Sequence, residues 1–351
     1  MDPEIIRDIL TDGTYAISGD NSQPWRFDVR GSDVTIFNIP DRDNPILNIR
    51  QRGSYVAHGS LIETIIIAAN KRGYAVDIRL FPRGESSNEI AVLSFSSANT
   101  APDPLYEYIR TRASNRRPYD AKKLLTEEQK REFQAAVQKV GGGTLSFVED
   151  SAQKKTVGAA MSATEKTALT TKELHHLFFK DMVWTEAEER EKKSGLYIRT
   201  LELPPPVRLL FRAIQHWPVM KFLNALGFYK LAAAGNAETY ASCALFGAIV
   251  VGNNDRDFIT AGRITQRVWL TATRYGLAFQ VVTGVPFLYT KIQIDKTLFK
   301  PWQCALITQA YLVIKETFGA TTGTIAMLFR TGYAPGPSAR SSRMPAVINF
   351  K

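Results

Sequence analysis

Two stretches of this chain repeat one another without a gap. YVAHGSLIETIIIAANKRGYAVDIRL starts at Tyr55, and FITAGRITQRVWLTATRYGLAFQVVT starts at Phe258, an offset of 203 residues. Gly59 matches Gly262, Ala69 matches Ala272, Gly73 matches Gly276 and Ala75 matches Ala278. Leu61, Ile65, Ile66 and Ile67 fall opposite Ile264, Val268, Trp269 and Leu270. Each copy reads as a glycine, about three turns of helix, a helix-ending glycine suited to the left-handed C-terminal position, and a strand. A generic helix–glycine–strand unit would share this outline, but four identities at one offset favour an internal duplication.

Around the repeat the chain divides into three regions. Residues 1 to about 95 open with a short helix over 4–10 and a polar loop, Ser18-Gly-Asp-Asn-Ser-Gln-Pro-Trp25. A hairpin follows. Trp25, Phe27 and Val29 alternate with polar residues, Gly31-Ser32 forms the turn, and Val34 and Ile36 resume the alternation. A helix is expected over 56–72, a strand over 76–81, and a linker over 96–104. The second region is helical: Thr126 and Gln129 form the ends of a capping box for a helix over 126–140, and residues 155–235 are long, helical in tendency and rich in aromatics. The third, 241–351, returns to alternating strands and helices.

Composition narrows the class. With 351 residues, 44% apolar and 22% charged, the chain can bury a sizeable core. Its net charge of +10 points to phosphate-bearing partners, whether a nucleotide, a nucleic acid or an anionic membrane, or to a basic solvated surface. Cys243 and Cys304 sit in apolar surroundings without metal or redox spacing, so buried free thiols are expected. The acidic opening MDPEIIRDIL is unlike a signal peptide, and the near-apolar run 241–252 is too short to span a bilayer, so a cytoplasmic location is expected.

The familiar catalytic constellations are missing from the sequence. None of the four histidines has zinc spacing, the Gly141-Gly-Gly143 run lacks a phosphate-loop lysine, and there is no nucleophile elbow. Chemistry carried by a bound cofactor gains weight, since a flavin needs few catalytic side chains.

Four segments carry a family resemblance. Ser18-Gly-Asp-Asn-Ser-Gln-Pro-Trp25 resembles the Ser-x-x-Asn-x-Gln-Pro-Trp segment of the FMN-dependent nitroreductase family. Arg112-Ala-Ser114-Asn-Arg116 resembles that family's opening Arg-x-Ser-x-Arg motif, and Gly276 to Gly284 the segment whose backbone faces flavin N5. Arg330-Thr-Gly-Tyr-Ala-Pro335, with Arg340 and Arg343, resembles the closing strand and phosphate-binding arginines. The order departs from the family: Gln23-Pro24-Trp25 has no arginine motif before it, and Arg112 to Arg116 has no Gln-Pro-Trp after it. Each half holds what the other lacks. This resembles the fused, one-chain variant, similar to the dormancy-associated mycobacterial nitroreductase-like proteins.

The resemblance implies an α+β, nitroreductase-like fold with two mixed, mainly antiparallel sheets wrapped by helices. It is internally duplicated as a pseudo-dimer, with one half over 1–100 and the other over 105–351. It also implies FMN at one composite site. Arg112, Ser114, Arg340 and Arg343 would hold the phosphate, and Arg116 would sit by N1 and O2 to favour hydride acceptance. Ser18, Gly19, Asp20, Asn21 and Gln23 would meet the ring's polar edge, and Thr283 or Gly284 would give a backbone N–H to N5. Singly, RASNRR also fits a solvated surface, and Gln-Pro-Trp a buried turn with an aromatic plug.

The activity implied is hydride transfer from NAD(P)H through flavin to an electron-poor acceptor of the quinone or nitroaromatic class. The rival is an FMN-storage protein with the 155–235 insertion as a lid. Nucleic-acid binding is disfavoured, because the basic residues are dispersed. Arg263, Arg267 and Arg274 share a helix face, read as a solvated face or as a docking patch for a nicotinamide phosphate. Residues 204–232 mix Leu, Phe and Trp with basic residues. Lid or packing is the favoured reading there, with weak membrane-surface contact secondary. A fused pseudo-dimer is expected to be a monomer.

Overall fold

A computed structural model describes residues 1–99 and 101–351. The fold is α+β. The expected hairpin is present: β1 (Trp25–Arg30) and β2 (Asp33–Asn38) pair antiparallel around Gly31, whose φ of 58° suits glycine. They join β3 (Tyr74–Leu80) and β4 (Glu89–Ser97) in a five-stranded sheet. Its fifth member is β11 (Ile348–Phe350), which returns from the end of the chain to lie parallel to β1, Phe27 opposite Ile348. The N-terminal sheet is therefore completed by C-terminal residues. The second sheet, β5 (Thr144–Val148), β8 (Leu245–Val251), β10 (Thr324–Gly332) and β9 (Ala278–Val281), is antiparallel throughout. Only the first large sheet is mixed, contrary to the expectation of two mixed sheets. A short parallel pair, β6 (Met182–Val183) with β7 (Leu196–Tyr197), forms a third.

The helices are α1 (Pro3–Gly13), α2 (Arg52–Lys71) and α3 (Glu127–Val140), then α4 (Ser151–Met161), α5 (Ala163–Thr170), α6 (Lys172–Lys180) and α7 (Glu186–Lys192). They continue with α8 (Pro205–Ile214), α9 (Trp217–Ala225), α10 (Phe228–Ala241), α11 (Asp255–Arg274), α12 (Gly284–Ile294) and α13 (Pro301–Thr317). The capping box of α3 forms as its sequence requires, Gln129 N donating to Thr126 Oγ1 at 3.2 Å and Thr126 N to Gln129 Oε1 at 2.9 Å. The expected 96–104 linker is shorter, because β4 runs through Ser97 and Asp103 caps a turn of 3₁₀ helix at Pro104–Tyr108.

The two repeat helices, α2 and α11, pack directly on each other at the centre. A Cβ on Gly59 would lie 1.9 Å from Ile259 O, and one on Gly262 would lie 2.0 Å from Val56 O. Val56 and Ile259 are themselves matched positions of the repeat, so each contact is the image of the other under the 203-residue offset. Ser60 Oγ donates to Gly262 O across the same crossing at 2.9 Å. One continuous hydrophobic core surrounds this pair and joins both large sheets. A second core lies under α4, α12 and α13.

Two of the three arginines on the arginine face of α11 are taken up in the helix crossing, while Arg274 stays exposed. Packing on α2 brings Glu63 opposite that face: Arg263 Nε and Arg267 Nε donate to Glu63 at 2.9 and 2.7 Å, and Arg267 reaches Asp103 at 2.8 Å. Arg274 lies 3.6 Å from Glu132. The Arg263 and Arg267 pairs with Glu63 tie α11 to α2.

Candidate functional site

The loop before β1 is the most strained short segment of the backbone. Asp20, Asn21 and Gln23 all take positive φ, 45°, 58° and 50°. Such conformations persist only where the surroundings hold them, and they gather at functional sites. Here the surroundings are explicit. Gln23 is buried and sends Nε2 to Lys193 O (2.8 Å) and Asn21 O (3.1 Å), while its Oε1 accepts from Met344 N (2.9 Å). Asn21 Nδ2 donates to Ser342 O at 3.0 Å, and its Oδ1 accepts from Arg343 at 2.7 Å. Trp25 is a buried plug, edge-on to His58.

The loop borders a cavity of about 380 Å³. Of the residues named from sequence, Ser18, Gly19, Asp20, Asn21, Arg112, Ser114, Arg116, Thr283, Gly284, Arg340 and Arg343 line it. Gln23 does not; it holds the loop's shape from behind, because both ends of its amide are spent on backbone groups. Residues 112–116 are pinned from the other side, Asn115 N donating to Phe279 O on β9 (2.9 Å) and its Nδ2 to Pro335 O (2.8 Å).

Arg112 and Arg343 give the cavity its chemistry. Arg112 is 7% exposed, lies 4.4 Å over the Trp269 ring and donates NH2 to Tyr15 O at 2.7 Å. Its Nε and that of Arg343 are buried without a partner. Among the described residues neither arginine has a carboxylate within ion-pair distance. Burial, with Arg343's charge beside it, holds the Arg112 guanidinium well below its ordinary pKa, and burial brings Arg343 down to about 10. A buried guanidinium beside a half-buried one, with only the more distant Glu189 charge acting on Arg343, is costly unless an anion joins them.

Arg116 NH1 donates to Thr200 O at 3.0 Å, and Arg340 is exposed at the rim. Asp20 lines the cavity with an exposed side chain, and the protein around the cavity shields it from bulk water, which raises its carboxyl above the usual range; Arg116 opposes the rise, and Asp43 and Asp181 add to it. Gly284 begins α12; a Cβ there would lie 2.3 Å from Thr164 Cγ2, so the helix start sits tight under α5.

The 155–235 insertion reaches the cavity, though not through 204–232, the segment favoured as its lid. Gly195, Leu196 and Thr200 line the cavity, whereas residues 205–232 do not, so α8 to α10 are not its lid. Their apolar inner faces pack on Phe178, Phe179 and Trp184 instead. A second cavity of about 350 Å³ shares Gly19, Asp20, Asp43, Asn44 and Gly195 with the first and carries Arg42, Lys180 and Lys192. Sequence reasoning missed Asp43, Asn48, Trp269, Phe287 and Met327. Trp269 alone carried a signal, an aromatic at a repeat position otherwise held by Ile66. Cys243 is buried, its thiol pushed up to about 12, and is unpaired, as is Cys304. No cluster fit for a metal occurs among the described residues.

The site is thus a cavity walled by the loop before β1, residues 112–116 and the start of α12, with Arg112, Arg116, Arg340 and Arg343 and the carboxyls of Asp20 and Asp43 on its wall. No family profile matches the chain. An uncharacterized protein of Mycobacterium tuberculosis (strain CDC 1551 / Oshkosh) is 25% identical over 342 residues, covering 93% of this chain and 46% of that protein. The chain therefore spans about half the length of the curated relative it matches. Among solved structures it is similar to a nitroreductase with bound FMN from Bacteroides fragilis: 11% identity, 69% of this chain, 95% of the other, TM-score 0.35. It is also similar to the FMN-dependent nitroreductase NfnB from Mycobacterium smegmatis in complex with NADPH: 15% identity, 65% of this chain, 86% of the other, TM-score 0.35.

Proposed function

We propose that the cavity binds FMN and that the chain is an FMN-dependent oxidoreductase built by internal duplication. The observation that carries this reading is the pairing of buried Arg112 with half-buried Arg343, neither facing a carboxylate within ion-pair distance and each with an unpartnered, buried Nε. A phosphate monoester supplies the missing charge and acceptors, and guanidinium geometry suits it. Arg340 and Ser114 complete the phosphate end. Arg116, tethered to Thr200, places a cation by the polar edge of the ring. The Ser18–Asn21 loop offers short polar groups there, and the Thr283–Gly284 backbone, just past β9 (Ala278–Val281), would offer an N–H to the ring. When bound, the flavin supplies hydride acceptance from NAD(P)H and reduction of a quinone or nitroaromatic. The chain's own residues hold it and exclude water. We place the protein in the cytoplasm, as a monomer that does not bind nucleic acid. No described helix is long and apolar enough to cross a membrane.

The second reading, FMN storage without turnover, is favoured by the roof at 195–200. One experiment separates the outcomes. The protein as purified should show a flavin absorbance spectrum, and anaerobic NADPH should bleach it. A spectrum that NADPH leaves unchanged supports storage. Failure of apoprotein to bind added FMN overturns both.

A further inference from the structure

Helix α9 is apolar on two opposite faces. Met220 is fully buried beneath it, with Trp217 and Leu223 packed alongside. Val219, Phe222 and Leu226 follow at i, i+3 and i+7 on the other side and face outward. An amphipathic surface helix needs one apolar face; the second calls for an environment the chain does not provide. The neighbouring helices extend it. Leu209 on α8 and Leu231 on α10 are 72% exposed, as is Leu226, and Phe222 is 65% exposed. Seven of the thirteen large apolar side chains exposed among the described residues fall between 207 and 231. Trp302 continues the patch, its ring 6.4 Å from that of Tyr229 on α10.

Charge decides the occupant. Between Glu202 and Glu238 there is no acidic residue, while Arg208, Arg212, Lys221 and Lys230 border the apolar face. A second copy of the chain would set this same cationic border against itself across a two-fold, which is unfavourable. A surface both apolar and anionic is the headgroup boundary of an acidic bilayer. Short amphipathic helices lie there with lysine and arginine reaching outward and Trp and Tyr at the polar interface. We propose that α8, α9 and α10 dock this chain on anionic membrane surfaces, independently of what the cavity binds.

The full-length chain is tested by co-sedimentation with sucrose-loaded vesicles of phosphatidylcholine and phosphatidylserine, against phosphatidylcholine alone, at moderate salt. Wild type should pellet with the anionic vesicles and much less with the neutral ones. The variant L209S/F222S/L226S/L231S changes only outward side chains, so its melting temperature should hold. Its vesicle affinity should fall at least about tenfold. R212Q/K221Q/K230Q should lose the preference for phosphatidylserine. Wild type that stays in the supernatant, or a serine variant that pellets as well as wild type, overturns the proposal. So does sedimentation velocity showing a wild-type dimer that the serine substitutions dissociate, with no vesicle binding; the face would then belong to self-association.

Discussion

Arg112 reaches its place through neighbours that leave it one carbonyl, one aromatic face and an idle Nε. If that Nε awaits a phosphate, Arg112→Ala should weaken FMN by roughly ten- to a hundredfold, the cost of one charge-assisted contact. Riboflavin, which has no phosphate, should be nearly unaffected. Fluorescence titration of both ligands checks it, and an equal loss for the two would remove Arg112 from the phosphate. His58 makes a different residue-scale claim. It is fully buried, hydrogen-bonded through Nε2 to Asn38 Oδ1 at 3.0 Å, and burial lowers its pKa from 6.5 to about 3. The unfolded chain therefore binds a proton below 6.5 that the native state refuses, so stability is complete above that pH and lost as pH falls toward 3. At pH 5 the loss is ~2 kcal/mol. Urea unfolding at pH 5 and pH 8 should show it in wild type, and His58→Gln should flatten the difference.

At the scale of elements, the α2–α11 crossing rests on two glycines that admit backbone where a methyl would stand. Gly262→Ala forces the Val56 carbonyl away and should destabilise by about 3 kcal/mol, at the upper end of overpacking costs. Gly235 in α10 is the control: it is helical, with open space around it, and alanine there should stabilise by about 0.5–1 kcal/mol. Thermal melts of both variants decide whether the close approach or helix propensity governs. The same crossing shows what the sequence could carry. Matched Gly59 and Gly262 marked the crossing point, since close helix approach admits no side chain. The Asp20 and Arg343 neighbourhoods were legible because motifs keep their local order. Glu63 was not, because an acid inside an apolar helix has no sequence mark until α11 brings Arg263 and Arg267 to it. The return of β11 to β1, and which part of the 155–235 insertion lines the cavity, 195–200 and not 205–232, depend on tertiary paths that periodicity does not encode.

On the scale of the whole molecule, a two-fold through the α2–α11 crossing would ordinarily generate two equivalent cavities. Here the equivalence fails at identifiable positions. The 203-residue offset carries Thr283 and Gly284 onto Leu80 and Phe81, so a large side chain stands where the first site has a bare helix start. Phe81 is buried edge-on to Tyr55, ring centroids 5.4 Å apart, with Arg256 over its outer face at 5.7 Å. The nearby cavity of about 520 Å³ between Asn38 and Asp255 has Arg50 as its one lining arginine, and Glu85 and Asp255 oppose an anion there. Nothing in that half substitutes for the Arg112–Arg343 pair. Apoprotein titrated with FMN should therefore saturate at one flavin per chain. Arg112→Ala combined with Arg343→Ala should abolish binding rather than halve it. Stability should report the same count. Ligand that binds only the native state at one site adds ~2.7 kcal/mol at a hundred times its Kd, rising logarithmically with a single-site slope. Saturation at two flavins per chain, or half the sites surviving in the double variant, would mean that the offset-related cavity works despite Phe81.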